Sequence, residues 1–266
     1  MELPHKMREP AVAGSFYPDD EKELREMIEK FLKDAGDVKV PGKLRGLVVP
    51  HAGYVYSGPT AAYGYKVLME QKKQPDQIFL FGPAHYGMFV GIADSGYDIW
   101  KTPLGMVNTK SISSKITDRS LVHVYPRAHD PEHSLEVQLP FLQTVMKEQF
   151  TAYPVLTGEV SPASLANAVE PVLDEDSLFL VSSDLSHYHP YENAKRIDSV
   201  ANESVPNLDF KKAELFEACG KTAILTLMQT AKSKGWKGKL LDYRNSGDTA
   251  GPRDGVVGYG AYAFYE

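Results

Sequence analysis

The sequence predicts an α/β protein: a single three-layer α/β/α domain over residues 1–266, with a mixed, largely parallel central sheet. Two patterns carry this expectation. Residues 46–50 (GLVVP), 77–81 (QIFLF) and 177–181 (SLFLV) are short apolar runs without alternation. Such runs suit strands buried on both faces, as in a sheet covered by helices. Helical patterns lie between them, and alternation of strands with helices is the signature of layered α/β architecture. No period of 20–50 residues and no linker-like Gly/Ser tract divides the chain, so one domain is expected.

Taken in order, residues 21–32 (EKELREMIEKFL) place Leu24, Met27, Ile28, Phe31 and Leu32 on one face. That spacing predicts a helix, with Asp19 or Asp20 as its N-cap and Gly36 as its stop. Further helices are expected at 59–69, 134–146, 161–173 and 222–232, with Pro140 kinking or restarting the second of these. Residues 150–156, 240–243 and 256–264 read as additional strands, the last of them closing the sheet antiparallel.

Composition narrows the function. With 29 Lys+Arg against 35 Asp+Glu the formal charge is −6, which argues against a general nucleic-acid binder. A hydrophobic content of 42% and a charged content of 24% are ordinary for a soluble globular protein. The single Cys forbids an intrachain disulfide, and no apolar run reaches the ~18–20 residues of a membrane span. The N-terminus, MELPHKMREP, is charged and broken by prolines and does not resemble a signal peptide, so a reduced cytoplasmic location is the expectation.

Eight histidines accompany that one cysteine. Three of the buried-strand candidates run directly into loops bearing His51, His85 and His187, and α/β sites form beyond the C-terminal ends of strands. Gly53 and Gly82 flank two of these histidines and permit close approach of backbone to a ligand. Asp184, three residues before His187, is read either as a carboxylate orienting an imidazole or as a helix N-cap. Glu132-His133 is read either as part of a helix-capping arrangement, with Ser134 or Asp130 as cap, or as pocket lining, with His133 a proton donor or substrate contact and Glu132 a spare carboxylate. His189 ranks below His187, and His5, His123 and His129 are read as surface residues. Cys219 precedes a helix, where the dipole lowers a thiol's pKa. Two His and one thiolate suit zinc, copper or iron, while a Cys–His nucleophile pair is the metal-free alternative.

Several segments resemble the Memo family in order and spacing. They are Arg8-Glu-Pro-Ala-Val-Ala-Gly-Ser-Phe-Tyr-Pro18, Pro50-His-Ala-Gly-Tyr-Val-Tyr-Ser-Gly58, Gly82-Pro-Ala-His85, Thr102-Pro-Leu104, Glu132-His-Ser-Leu-Glu-Val-Gln-Leu-Pro140, Ser182-Ser-Asp-Leu-Ser-His187, Cys219-Gly220 and Gly258-Tyr-Gly-Ala261. The resemblance covers essentially the whole chain. It implies a fold similar to class III (LigB-like) extradiol dioxygenases, with His51, His85 and Cys219 as metal ligands and Asp184, His187 and His133 as the catalytic set. The implied cofactor is Fe(II) or copper, with zinc as a further candidate. The position that matches the dioxygenases' carboxylate ligand is Cys219, so ring cleavage does not follow from the fold. The implied activity is that of a metal-dependent oxidoreductase of unknown substrate. The alternative is a non-catalytic module binding a phosphopeptide or metabolite in the same pocket. Expected partners are a small molecule or peptide and radical-SAM-associated proteins, with no nucleic acid and no membrane.

Overall fold

The computed structural model describes residues 6–266. His5 lies outside the described residues. The centre of the fold is four parallel strands whose spatial order is Thr151–Thr157, Gln77–Pro83, Ser177–Ser182, Leu44–Val49. The Val256–Tyr265 strand closes this sheet antiparallel to Leu44–Val49 and pairs on its other side with Lys237–Asn245. The mixed, largely parallel sheet expected from the sequence is therefore present, and further short strands extend it to twelve among the described residues.

Alternate residues of each central strand enter different layers, as a two-residue period requires. Leu47, Val49, Ile78, Leu80, Leu178 and Leu180 pack with the helices Glu21–Asp34, Tyr54–Met69 and Leu139–Val145. Val48, Phe79, Phe81, Phe179 and Val181 pack on the opposite face with Pro162–Val169, Tyr191–Asn207 and Lys221–Lys234. Both faces are apolar, which is why these strands read as unbroken hydrophobic runs.

Local chemistry sets the helix boundaries. The Asp20 side chain accepts from Glu23 N–H and starts the first helix, Glu21–Asp34, whose C-cap Ala35 directly precedes Gly36. The Tyr54–Met69 helix begins a turn and a half before the expected residue 59, and Pro59 sits inside it. The helix expected at 134–146 is divided: Glu136–Gln138 forms a 3-10 turn, and an α-helix restarts at Leu139 with Pro140 in its first turn. Proline lacks the N–H that would be unpaired there anyway. Neither Ser134 nor Asp130 caps it; the Ser134 hydroxyl donates to Pro83 O, and Asp130 ends the short Pro126–His129 helix. The Tyr191–Asn207 helix was not expected, because its buried face is Ala194, Asp198, Ala201, Ser204 and Val205, too small and polar to make an apolar stripe.

One buried ion pair joins the N-terminal segment to this core. Arg8 Nη1 donates to Glu136 Oε2 at 2.7 Å, with both side chains almost fully enclosed. The same guanidinium donates to the carbonyls of His129 and Glu132 and lies 4.2 Å from the centre of the Trp100 ring. Glu136 also accepts from the Ala11 and Val12 amides and the Tyr17 hydroxyl. His129, read from sequence as a surface residue, is instead fully buried beside this network. Its Nε2 is 3.0 Å from Ala93 O, and its ring meets Trp100 edge-on. His123 is exposed, as expected. Among the described residues no helix is long and apolar enough to cross a membrane.

Three outcomes follow. Arg8→Met leaves Glu136 charged and buried without its cation, and urea unfolding is expected to show a loss of about 3–5 kcal/mol. Lys22→Met, at the exposed Lys22–Glu26 pair, should change stability by under about 0.5 kcal/mol. Burial, chiefly, holds the His129 imidazole down to about 4, and the nearby Arg8 charge adds to it. An unfolded histidine titrates near 6.5, so between these values the unfolded chain binds the extra proton. That contribution to stability is complete above about pH 6.5 and is lost as pH falls toward 4. The melting temperature of His129→Phe should accordingly fall less between about pH 7 and pH 5 than that of the wild type.

Candidate metal centre

The site forms beyond the C-terminal ends of three adjacent parallel strands. Ser177–Ser182 lies between Leu44–Val49, which leads to His51, and Gln77–Pro83, which leads to His85. Two strand spacings of about 4.8 Å separate the outer pair, so their side chains must arch over the middle strand to meet. They do: the His51 and His85 rings are 5.3 Å apart, edge to face. His133 completes the group, stacked on His85 at 4.7 Å and edge-on to His51 at 5.5 Å. One donor nitrogen from each of His51, His85 and His133 lies within 4.8 Å of the others. Cys219 stands beside this group and not within it: of the three rings its Sγ meets His51, 3.3 Å from Nε2.

Two of the three rings are held from behind by hydrogen bonds. His51 Nδ1 is 2.9 Å from the Ser182 hydroxyl, and the His51 amide donates to Asp184 Oδ1 at 2.7 Å. His85 Nδ1 is 2.9 Å from Glu132 Oε1, and the His85 amide donates to Glu132 Oε2 at 2.6 Å. Glu132 Oε1 also accepts from the His133 and Ser134 amides at 2.9 Å. Glu132 is thus the fastening of the His85 loop to the His133 segment, not the spare carboxylate of the sequence reading. Asp184 bonds to backbone and neither orients a ring nor caps a helix, since the chain continues into the short His187–His189 strand. His133 Nδ1 stands 3.5 Å from Glu132 Oε1 without a hydrogen bond, and Phe16 packs against its ring at 4.6 Å.

Two glycines permit this assembly. A Cβ on Gly82 would approach Leu135 Cδ2 to 2.8 Å, and one on Gly220 would approach Ser183 Cβ to 2.7 Å. The first lets the 132–135 segment lie on the Gln77–Pro83 strand. The second lets the Cys219 turn press against the end of Ser177–Ser182.

The electrostatics oppose protonation of the buried rings. Burial, with the neighbouring His85 charge second, lowers His51 to about 3; burial, with the His51 charge second, lowers His133 to about 4. At His85 burial pulls downward, but the Glu132 hydrogen bond and charge outweigh it and the pKa rises. Burial disfavours ionised Glu132, yet its hydrogen bonds to His85 and the His85 charge outweigh burial and hold it at about 2. Burial raises Asp184 against the His51 amide and the fields of His187 and His133. Cys219 departs from the lowered thiol pKa expected at a helix start. It precedes the Gly220 N-cap, and burial, then the Asp184 carboxylate, push the thiol up to about 12. Its sulfur is enclosed by Asp184 N, Ser183 Oγ and His51 Nε2.

His187 is partly exposed at the edge of the site, near enough for its charge to act on His51 and Asp184. His189 pairs with Glu217 at 2.9 Å. Sequence reasoning passed over Ser182, Gln138 and Phe16. Gln138 carried a usable signal, a lone amide inside the apolar run LEVQLPF. Phe16 carried none, because nothing local places residue 16 beside residue 133.

Comparison with known proteins agrees with this arrangement of motifs. A sequence profile described as Memo-like protein matches residues 8–263. A MEMO1 family protein of Nitrosopumilus maritimus is 35% identical over 97% of this chain and 99% of its own length. One from Saccharolobus solfataricus is 37% identical with the same coverage. Another, from Sulfolobus acidocaldarius, is 38% identical over 95% of this chain and 97% of its own. A profile match and relatives that both run nearly end to end leave one conclusion: the chain belongs to the family of Memo-like proteins.

Proposed function

We propose that the cluster holds a redox-active metal ion, iron or copper, through His51, His85 and Cys219, and that the protein is an oxidoreductase acting on a small substrate. The convergence of three imidazole nitrogens beyond the strand ends, with the Cys219 sulfur beside His51, supports this reading. The donor set fits a metal. Ions that bind nitrogen at about 2.0 Å and sulfur at about 2.3 Å hold the two donors roughly 3.5 Å apart, close to the 3.3 Å between His51 Nε2 and Cys219 Sγ. Mixed imidazole and thiolate donors suit zinc, copper and iron. A bound iron or copper ion would supply one-electron chemistry, with Cys219 as its thiolate ligand.

The chain's own residues do the rest. Glu132 holds a proton on His85 Nδ1, leaving Nε2 to face the cluster. His133, held neutral by burial and with an unbonded Nδ1, offers an acceptor nitrogen for a hydrogen bond from substrate beside the ligands. His187 stands half-buried at the edge of the site, near enough for its charge to act on the Asp184 carboxylate. Phe16 and the apolar strands exclude water from the rear of the cluster.

Metal analysis of anaerobically purified protein should find close to one iron or copper per chain. Cobalt titration of metal-free protein should develop a sulfur-to-cobalt charge-transfer band that is missing in Cys219→Ser, with His51→Ala binding at least about a hundredfold more weakly. Protein that takes up neither iron, copper, zinc nor cobalt would refute the proposal and favour the metal-free binding module. Glu132→Gln should weaken cobalt binding by about 10–100-fold, because the amide no longer sets the His85 ring and both adjoining amides as one carboxylate does.

A further inference from the structure

We propose that Ser182 and Gln138 are positioning residues that lock His51 in its Nδ1–H tautomer, so that its Nε2 lone pair faces Cys219, His85 and His133. The inference deepens the metal-binding reading, because only an unprotonated Nε2 can donate electrons to an ion. Its evidence is a chain of hydrogen bonds that permits one assignment of protons.

The chain begins at two backbone carbonyls, which only accept. Gln138 Nε2 is 2.9 Å from Pro50 O, so the amide group is oriented with NH2 at that end. The other end agrees: Gln138 Oε1 accepts from the Tyr65 hydroxyl at 2.6 Å. The second Nε2 proton of Gln138 then points at Ser182 Oγ, 2.7 Å away. Ser182 Oγ is also 2.6 Å from Ser134 O. Two oxygens at that distance repel each other unless a proton lies between them, and the carbonyl has none to give. The single Ser182 proton is therefore spent on Ser134 O.

Ser182 Oγ meets His51 Nδ1 at 2.9 Å with only a lone pair to offer. A bare Nδ1 would place two lone pairs face to face, so Nδ1 carries the proton and donates it. Nε2 is left bare on the side of Cys219 Sγ. The opposite tautomer is not without attraction, since an Nε2–H has that sulfur as an acceptor at 3.3 Å. It would cost the Ser182 contact or the short bond to Ser134 O, and His51, Ser182 and Ser134 are all buried. Gln138 matters because its amide takes up one Ser182 lone pair and forbids the hydroxyl from turning toward it. The lock reaches through Tyr65 into the helix layer, so His51 is set by the core and not by the ion.

Nitrogen-15 NMR of metal-free, histidine-labelled protein at about pH 8, with His51 assigned by its loss in His51→Gln, reads the tautomer directly. The expected spectrum has a pyrrole-type Nδ1 and a pyridine-type Nε2 on His51. Ser182→Ala should populate both tautomers and weaken cobalt binding about 10–100-fold, and Ser182→Thr, which keeps the hydroxyl, should restore both. An Nε2–H signal in the wild type overturns the proposal, as does Ser182→Ala protein that keeps a pure Nδ1–H signal. If Ser182→Ala does not fold, the wild-type spectrum alone decides. A wild type that binds no cobalt defeats the metal reading and leaves the tautomer assignment to stand or fall on its spectrum.

Discussion

The buried Arg8–Glu136 ion pair is the interaction on which the rest of the architecture depends. A charged carboxylate enclosed by protein is tolerable only when its lone pairs are all taken, and Glu136 fills them with a guanidinium, two amides and a phenol. Arg8 in turn binds the carbonyls of His129 and Glu132. The segment that carries Glu132, His133 and Gln138 is thereby held at both of its ends. Glu132, four residues before Glu136, then fastens the His85 loop to it. Two enclosed carboxylates on one short stretch thus connect the N-terminus, the middle of the chain and the strand ends.

Much of the fold was legible because it rests on local pattern. The runs at 46–50, 77–81 and 177–181 appear as central strands, and the strand expected at 256–264 closes the sheet antiparallel. What escaped was structure that owes its existence to tertiary contact. The Tyr191–Asn207 helix has no large apolar stripe, and the chain at 134–138 is bent by bonds from its side chains to distant loops. The placement of histidines at strand ends was readable because topology dictates where such loops lie. His133 was expected in the pocket, but not as a third member of the imidazole cluster, since that placement depends on partners more than forty residues away. His129 misled for a related reason: its burial comes from Ala93 and Trp100, which nothing in its own neighbourhood announces.

The centre shows two ways of fixing an imidazole. His85 is held by an ionised carboxylate, which raises its basicity and couples it to charge. His51 is held by a neutral hydroxyl in a low-dielectric setting, which leaves its basicity low. Adjacent rings with opposite shifts are a pattern found where a site must separate roles among chemically identical groups. Cys219 adds a thiol that stays protonated in its enclosed position, so the metal-free cluster carries little charge of its own despite four potential ligands.

The sheet order also bears on how the chain is made. The Leu44–Val49 strand has as neighbours Ser177–Ser182 and Val256–Tyr265, both far downstream. A ribosome delivers the N-terminal part first, so this strand waits with two open hydrogen-bonding edges while more than half of the polypeptide is still unmade. Exposed apolar strand edges recruit other chains. Newly synthesised protein is therefore most at risk of aggregation before its last strand emerges, and its dependence on chaperones should track translation of that final segment more than the stability of the finished fold.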